Sequence, residues 1–286
     1  MKKNSALILL GSLLVLASCG QNSFGAEVKG EGDFLSVVTA AETGFNITKT
    51  SVVTNKSNQA PSTEFDLYNH SAELYSGDDF VYETTTVAAD GTAKSEKVQG
   101  FTVVNAETSK TTYFLVNTDK GGITSQNSSL LDTYRANAKS IINSDYSAVN
   151  AAYNAMKPFA GLKAGTVEGV NYSSIYFATS VAGTTAGYTL KTVQAVEGGT
   201  RQIDRYITLD KTNDKWGFTF YAVRVTDKIG SDVIYYTQDY AFECLSDEAL
   251  SSKELNAKKT VSQLTFTIEG VEPDTTSADG TPLTGK

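Results

Sequence analysis

Apolar and polar residues alternate over most of this chain, the two-residue rhythm of strands. Runs rich in Thr, Val and Tyr fall near residues 46–54, 63–75, 79–89, 96–105 and 111–118. They resume near 172–181, 186–197, 202–210, 215–226 and 232–243, with a last one at 261–269. β-Branched and aromatic side chains suit a pleated, half-buried surface, so each run predicts a strand. Turn-formers separate them: Ser76-Gly77-Asp78-Asp79, the Asp90-Gly91 pair of a tight hairpin, and the stretch from Asp210 to Asp214.

The rhythm changes at Ser128. Leu130, Leu131, Tyr134, Ala138, Ile141, Ile142, Val149, Tyr153 and Met156 recur at three- and four-residue steps, which predicts an amphipathic helix. Ser129 with Asp132 resembles a capping box, Pro158 marks the end, and Asn143-Ser144-Asp145 is expected to divide the segment in two. Shorter helices are expected at 34–42, between Asp33 and Gly44, and at 247–256. The class is therefore α+β, antiparallel and β-rich. Two arrangements fit: one curved sheet or half-barrel of about ten strands with the long helix packed on it, or two tandem helix-on-meander modules of a cystatin-like sort. The first element order, over roughly residues 34–270, resembles the half-barrel of the lipoprotein-carrier (LolA) and mycobacterial lipid-carrying lipoprotein (LppX) families.

The other departure from alternation is at the start. Lys2 and Lys3 precede an apolar run from Ala6 to Ala17, interrupted only by Gly11 and Ser12. That run is shorter than the roughly 20 residues a spanning helix needs, and it has the layout of a secretory signal. It ends Leu16-Ala17-Ser18-Cys19, which resembles the lipobox of bacterial lipoproteins. The resemblance implies cleavage after residue 18 and a lipid on Cys19, and hence an exported chain held to a bacterial membrane by its N-terminus. One acyl chain anchors marginally and two anchor stably. Residues 19–33 then read as the lipidated cysteine and a Gly-rich tether, with a reach of roughly 20 Å. Residues 34–271 read as the globular region, with possible halves at 34–125 and 126–271. The Thr-, Gly- and Asp-biased stretch 272–286 is expected to be a disordered tail.

Charge narrows the partners. The formal net charge of −8 becomes −10 once Lys2 and Lys3 are lost, which disfavours nucleic acid and charge-driven membrane binding alike. Of two cysteines, Cys244 alone would stay unmodified, so no internal disulfide is expected and it reads as a small apolar residue near a strand end. His70 is the only histidine, which leaves a catalytic triad or an ordinary zinc site without parts, and it reads as a surface or strand-end residue. No cofactor motif is present. Lys120-Gly-Gly and Glu197-Gly-Gly read as turns, and the Asp210–Asp214 loop lacks the pattern of a calcium loop. A pair of carboxylates defined only in space stays open.

Aromatic residues are the positive feature, with 15 Tyr and 13 Phe. By strict alternation Trp216, Phe218, Phe220 and Ala222 share one face of their strand, while Tyr221, Val223 and Val225 make the other apolar too. Ile175, Phe177 and Val181 likewise face away from Tyr172 and Tyr176. Such strands either need cover on both faces or line a ligand cavity. The first reading is core packing. The second is a cavity between sheet and helix lined by Trp216, Phe218, Phe220, Tyr176 and Tyr235. The expected function is thus a non-enzymatic, membrane-anchored lipoprotein that binds or carries a hydrophobic or amphiphilic ligand. The alternative is a surface protein that binds another macromolecule through exposed sheets.

Overall fold

A single sheet takes in every strand of the described chain. The computed structural model describes residues 39–40, 43–57, 68–87, 92–105, 107–117, 121–255 and 266–268. The strands are β1 (Asn46–Ser57), β2 (Tyr68–Leu74), β3 (Phe80–Val87), β4 (Ala93–Val104), β5 (Thr111–Asn117), β6 (Gly121–Ser125), β7 (Gly165–Val167), β8 (Val170–Ala182), β9 (Thr185–Val196), β10 (Gly199–Thr212), β11 (Lys215–Ile229), β12 (Asp232–Leu245) and β13 (Phe266–Ile268). Their spatial order is β13-β6-β5-β4-β3-β2-β1-β12-β11-β10-β9-β8-β7. Twelve form an antiparallel, curved and unclosed array, and β13 adds to β6 in parallel.

The arrangement is the single curved sheet rather than two modules. β1 runs antiparallel to β12 from Asn46 opposite Leu245 to Ser57 opposite Tyr235, which joins the two meanders edge to edge. The strand count exceeds the expected ten because Gly121–Ser125 and Gly165–Val167 form short strands. Gly121 and Gly122, read as turn residues, open β6 instead. The signal-like segment, Cys19, the tether, the Asp90-Gly91 hairpin and the tail lie outside the described residues, as does most of the helix expected at 34–42.

Helix α1 (Ser129–Met156) is continuous over 28 residues. Its buried face is Leu131, Ala138, Ile142, Asp145, Tyr146, Val149, Tyr153 and Met156, one stripe at three- and four-residue steps. Asn143 and Ser144 do not break it, since both face solvent while Asp145 turns toward the sheet. Burial of this stripe outweighs the weak helix propensity of three successive polar residues. The N-terminus is capped from two residues further back than the expected Ser129: Asn127 Oδ1 accepts from Ser129 N at 3.0 Å, and Ser128 makes no side-chain cap. α1 packs against β1 to β5 on one side and β11 and β12 on the other, so it crosses the seam between the two meanders.

Three β-bulges shift the strand rhythm. Thr48, Ser173 and Thr219 are each an extra residue without a registered partner. After Thr219 the faces exchange. Phe218 pairs with Leu209 and Tyr221 with Ile207 on the helix side, while Phe220 pairs with Thr208 on the other. Ser173 likewise places Tyr172 on the Ile175 side, where it meets Phe159 at 5.2 Å. Both departures from the expected faces follow from the period of two, since one inserted residue inverts every side chain beyond it.

A second, smaller core sits apart from the helix: Phe101, Val103, Phe114 and Val116, closed by Leu255. Phe101 and Phe114 stack at 5.1 Å. The chain reaches Leu255 through a short helix, α2 (Asp247–Ser251), in which Ser246 Oγ accepts from Ala249 N at 3.3 Å. α2 ends earlier than the expected residue 256. In the main core, Phe80 lies flat over Gly100 of the neighbouring strand, and a Cβ there would sit 2.2 Å from the Phe80 ring. Gly100→Ala is expected to destabilise the fold by about 1–3 kcal/mol through overpacking. Chemical denaturation of the variant checks this, and an unchanged midpoint would refute the packing.

Candidate functional site

The helix–sheet interface is filled, not hollow, along most of α1. Tyr146 meets Phe218 at 5.1 Å and Phe242 at 5.5 Å, and Tyr153 meets Tyr188 at 5.2 Å and Phe218 at 5.7 Å. The Tyr146 hydroxyl accepts from Phe218 N at 3.3 Å, and burial pushes its pKa up to about 12. Set into this aromatic seam is a polar cluster. His70 Nε2 lies 2.7 Å from Asp145 Oδ2, and Thr50 Oγ1 donates to the same oxygen at 2.8 Å. All three residues are buried. His70 is therefore an interior residue on β2, not the surface or strand-end residue its sequence setting suggests. Its face is fixed by alternation with Ala72 and Leu74, which pack toward the helix.

The interface opens near the N-terminal half of α1. A cleft of about 270 Å³ lies between the N-terminal half of α1, the start of β1 and the end of β2. Buried or half-buried Phe45, Ile47, Leu74 and Ile142 supply its apolar wall, and Ala40 and Leu250 complete it. Arg135, Lys139 and Asn143, successive residues on one line of the helix, face Asn46, Tyr75, Asp78 and Asp79. Arg135 Nη1 contacts Asp78 Oδ1 at 2.6 Å, with the Asp78 side chain 67% exposed. Asp78 sits on a tight turn where it and Gly77 both have positive φ, 70° and 64°. Asp79 is buried and holds the turn down, accepting from Thr102 N at 3.0 Å.

Behind the turn, Lys253 braces the wall. Its Nζ lies 2.9 Å from Glu73 Oε1, touches Glu243 and stands 5.0 Å over the Tyr75 ring, while Ser76 N donates to its carbonyl at 2.8 Å. Burial raises the Glu73 pKa, but Lys253 and Lys49 outweigh it and leave the carboxyl below its ordinary value. Burial, then Glu73, push the Tyr75 phenol well above its ordinary range. Near neutral pH Glu73 is thus ionised and the Tyr75 phenol neutral.

None of the five aromatic candidates lines this cleft. Phe218 is fully buried against Tyr146 and Tyr153, and Trp216 packs on the same core. Phe220 faces the other side of the sheet because of the bulge at Thr219. Tyr176 and Tyr235 stand 55% and 51% exposed, each next to a residue that faces the core, Ile175 and Tyr236. Cys19 lies outside the described residues. The Asp210–Asp214 loop is a hairpin turn in which Lys211 Nζ meets Asp214 at 3.0 Å. No group of three His, Cys, Asp or Glu among the described residues is placed to hold a metal ion. The cleft itself was missed by sequence reasoning, and its only trace there is the i, i+4, i+8 line of Arg135, Lys139 and Asn143.

Comparison with protein-family models, with curated proteins and with solved structures finds no match to this chain.

Cys244 is half-buried near the end of β12, with Sγ 3.9 Å from the Phe218 carbonyl. Burial first, then Glu243 and Asp210, push its thiol up to about 12. Because the thiolate is the nucleophile, Cys244 is expected to react slowly with a thiol reagent at pH 8 and fast once unfolded. Equal labelling rates in the two states would contradict this.

Proposed function

We propose that this chain is a lipid-anchored bacterial surface protein that holds one small amphiphilic ligand in the cleft beside α1. The observation that carries the reading is the cleft's composition: apolar side chains on one wall, and Arg135 and Lys139 facing Asp78 and Asp79, with Asn46 and Asn143, on the other. Ligand sites usually span roughly 300–1,000 Å³ and combine apolar walls with a few polar groups. A cleft of about 270 Å³ lies just below that range, which suits a single ring system or short chain and not a two-chain lipid. The filled aromatic seam supports the same limit on size. The lipobox-like Leu16-Ala17-Ser18-Cys19 supports the anchor, and no helix among the described residues is long and apolar enough to cross a membrane.

A second reading rests on a different face. Tyr176 and Tyr235 are exposed on the side of the sheet away from α1, as a surface that binds another macromolecule would need.

Wild-type protein in its host is expected to carry a lipid mass on Cys19 and to fractionate with membranes, whereas Cys19→Ala lacks the mass and is released. Identical fractionation of the two would overturn the anchor. Native mass spectrometry of the lipid-free Cys19→Ala protein purified without detergent is expected to show an adduct of single-chain size. A bare polypeptide mass, together with no binding of the neutral dye N-phenyl-1-naphthylamine, would overturn the cleft reading.

A further inference from the structure

The mouth of the cleft is spanned by an ion pair suited to exchange. Asp78 Oδ1 and Arg135 Nη1 meet there at 2.6 Å. Asp78 is mostly exposed, and an exposed pair of this kind contributes little to stability. Arg135 is the better buried partner, at 26% exposure, and it lies one helical turn from Lys139 on the same side of the opening. A guanidinium backed by an ammonium and an apolar wall is the chemistry that recognises an amphiphile with an anionic end.

We infer that the ligand is an amphiphilic anion, a carboxylate, sulfonate or phosphate on an apolar body, which displaces Asp78 and takes Arg135 as its counter-ion. This rests on the cleft being a ligand site. Asp78 acts as a latch that occupies the guanidinium in the empty state. The turn suits that role, because Asp79 is held to Thr102 while Asp78 projects into solvent on its left-handed backbone. The apolar body lies against Ile47, Leu74 and Ile142. Lys139 adds long-range attraction without a fixed contact, so affinity falls with ionic strength.

Two dyes that differ only in a sulfonate separate the inference from its premise. They are 8-anilinonaphthalene-1-sulfonate and its neutral counterpart N-phenyl-1-naphthylamine, titrated by fluorescence into the mature chain carrying Cys19→Ala. Wild type is expected to bind both saturably. Arg135→Gln is expected to weaken the sulfonate by about tenfold or more and to leave the neutral dye unchanged. Asp78→Asn, which keeps a residue tolerant of positive φ, is expected to tighten the sulfonate several-fold and to leave the neutral dye unchanged. Asn143→Trp, an exposed position that fills the opening, is expected to abolish both. The latch is overturned if Arg135→Gln binds the sulfonate as wild type does, or weakens both dyes equally. It is also overturned if Asp78→Asn leaves the sulfonate unchanged. Wild type binding neither dye would overturn the latch and the cleft reading together.

Discussion

The seating of α1 depends on Asp145, the only carboxyl among the buried positions of that helix. Apolar packing is non-directional, so Tyr146, Val149 and Tyr153 alone would allow the helix to rotate or slide over the sheet. Hydrogen bonds are directional. Asp145 Oδ2 takes both the His70 ring and the Thr50 hydroxyl, which come from adjacent strands. That three-way contact sets the rotation and the axial position of α1 at once. Arg135 lies ten residues earlier, about 15 Å along the axis, so the same contact fixes where its guanidinium reaches the opening of the cleft. A site at one end of the helix is thus positioned by a buried cluster near its middle.

The curved sheet follows from the same arrangement. α1 crosses the seam where β1 and β12 pair, and its aromatic stripe touches strands contributed by residues on both sides of the helix in sequence. Each of the two meanders alone would expose an apolar face. Joined and covered by one helix, they share a core that runs from Leu115 on β5 to Ile175 on β8. The bulges at Thr48, Ser173 and Thr219 belong to this solution. They keep large residues turned toward the helix where a strict alternation would have turned them away.

Much of this was legible in the residues. The three- and four-residue stripe from Leu131 to Met156 marked the helix, and the alternation marked most strands and the antiparallel, β-rich class. Errors arose wherever tertiary structure overrode a local rule. Asn143-Ser144-Asp145 looks like a break because each is a poor helix former, but Asp145 sits three after Ile142 and four before Val149, on the apolar face. A polar residue in that position was the available sign of a buried partner. Trp216, Phe218 and Phe220 were assigned one face because nothing in the run marks Thr219 as an extra residue. Gly121-Gly122 looked like a turn and is a strand, since pairing with β5 supplies what propensity does not. The cleft was illegible for a different reason. Its walls come from residues 40, 45–47, 74–79, 135–143 and 250, brought together only by the fold, and no local spacing encodes them.

The central claim is that His70 and Asp145 act as one unit in seating the helix, and a double-mutant cycle tests it most directly. His70→Ala, Asp145→Ala and the double variant are compared with wild type by chemical denaturation. The account predicts a coupling of about 1 kcal/mol or more, because either substitution alone removes the contact whose loss the second would repeat. Additivity to within about 0.5 kcal/mol, the behaviour of distant sites, would contradict it.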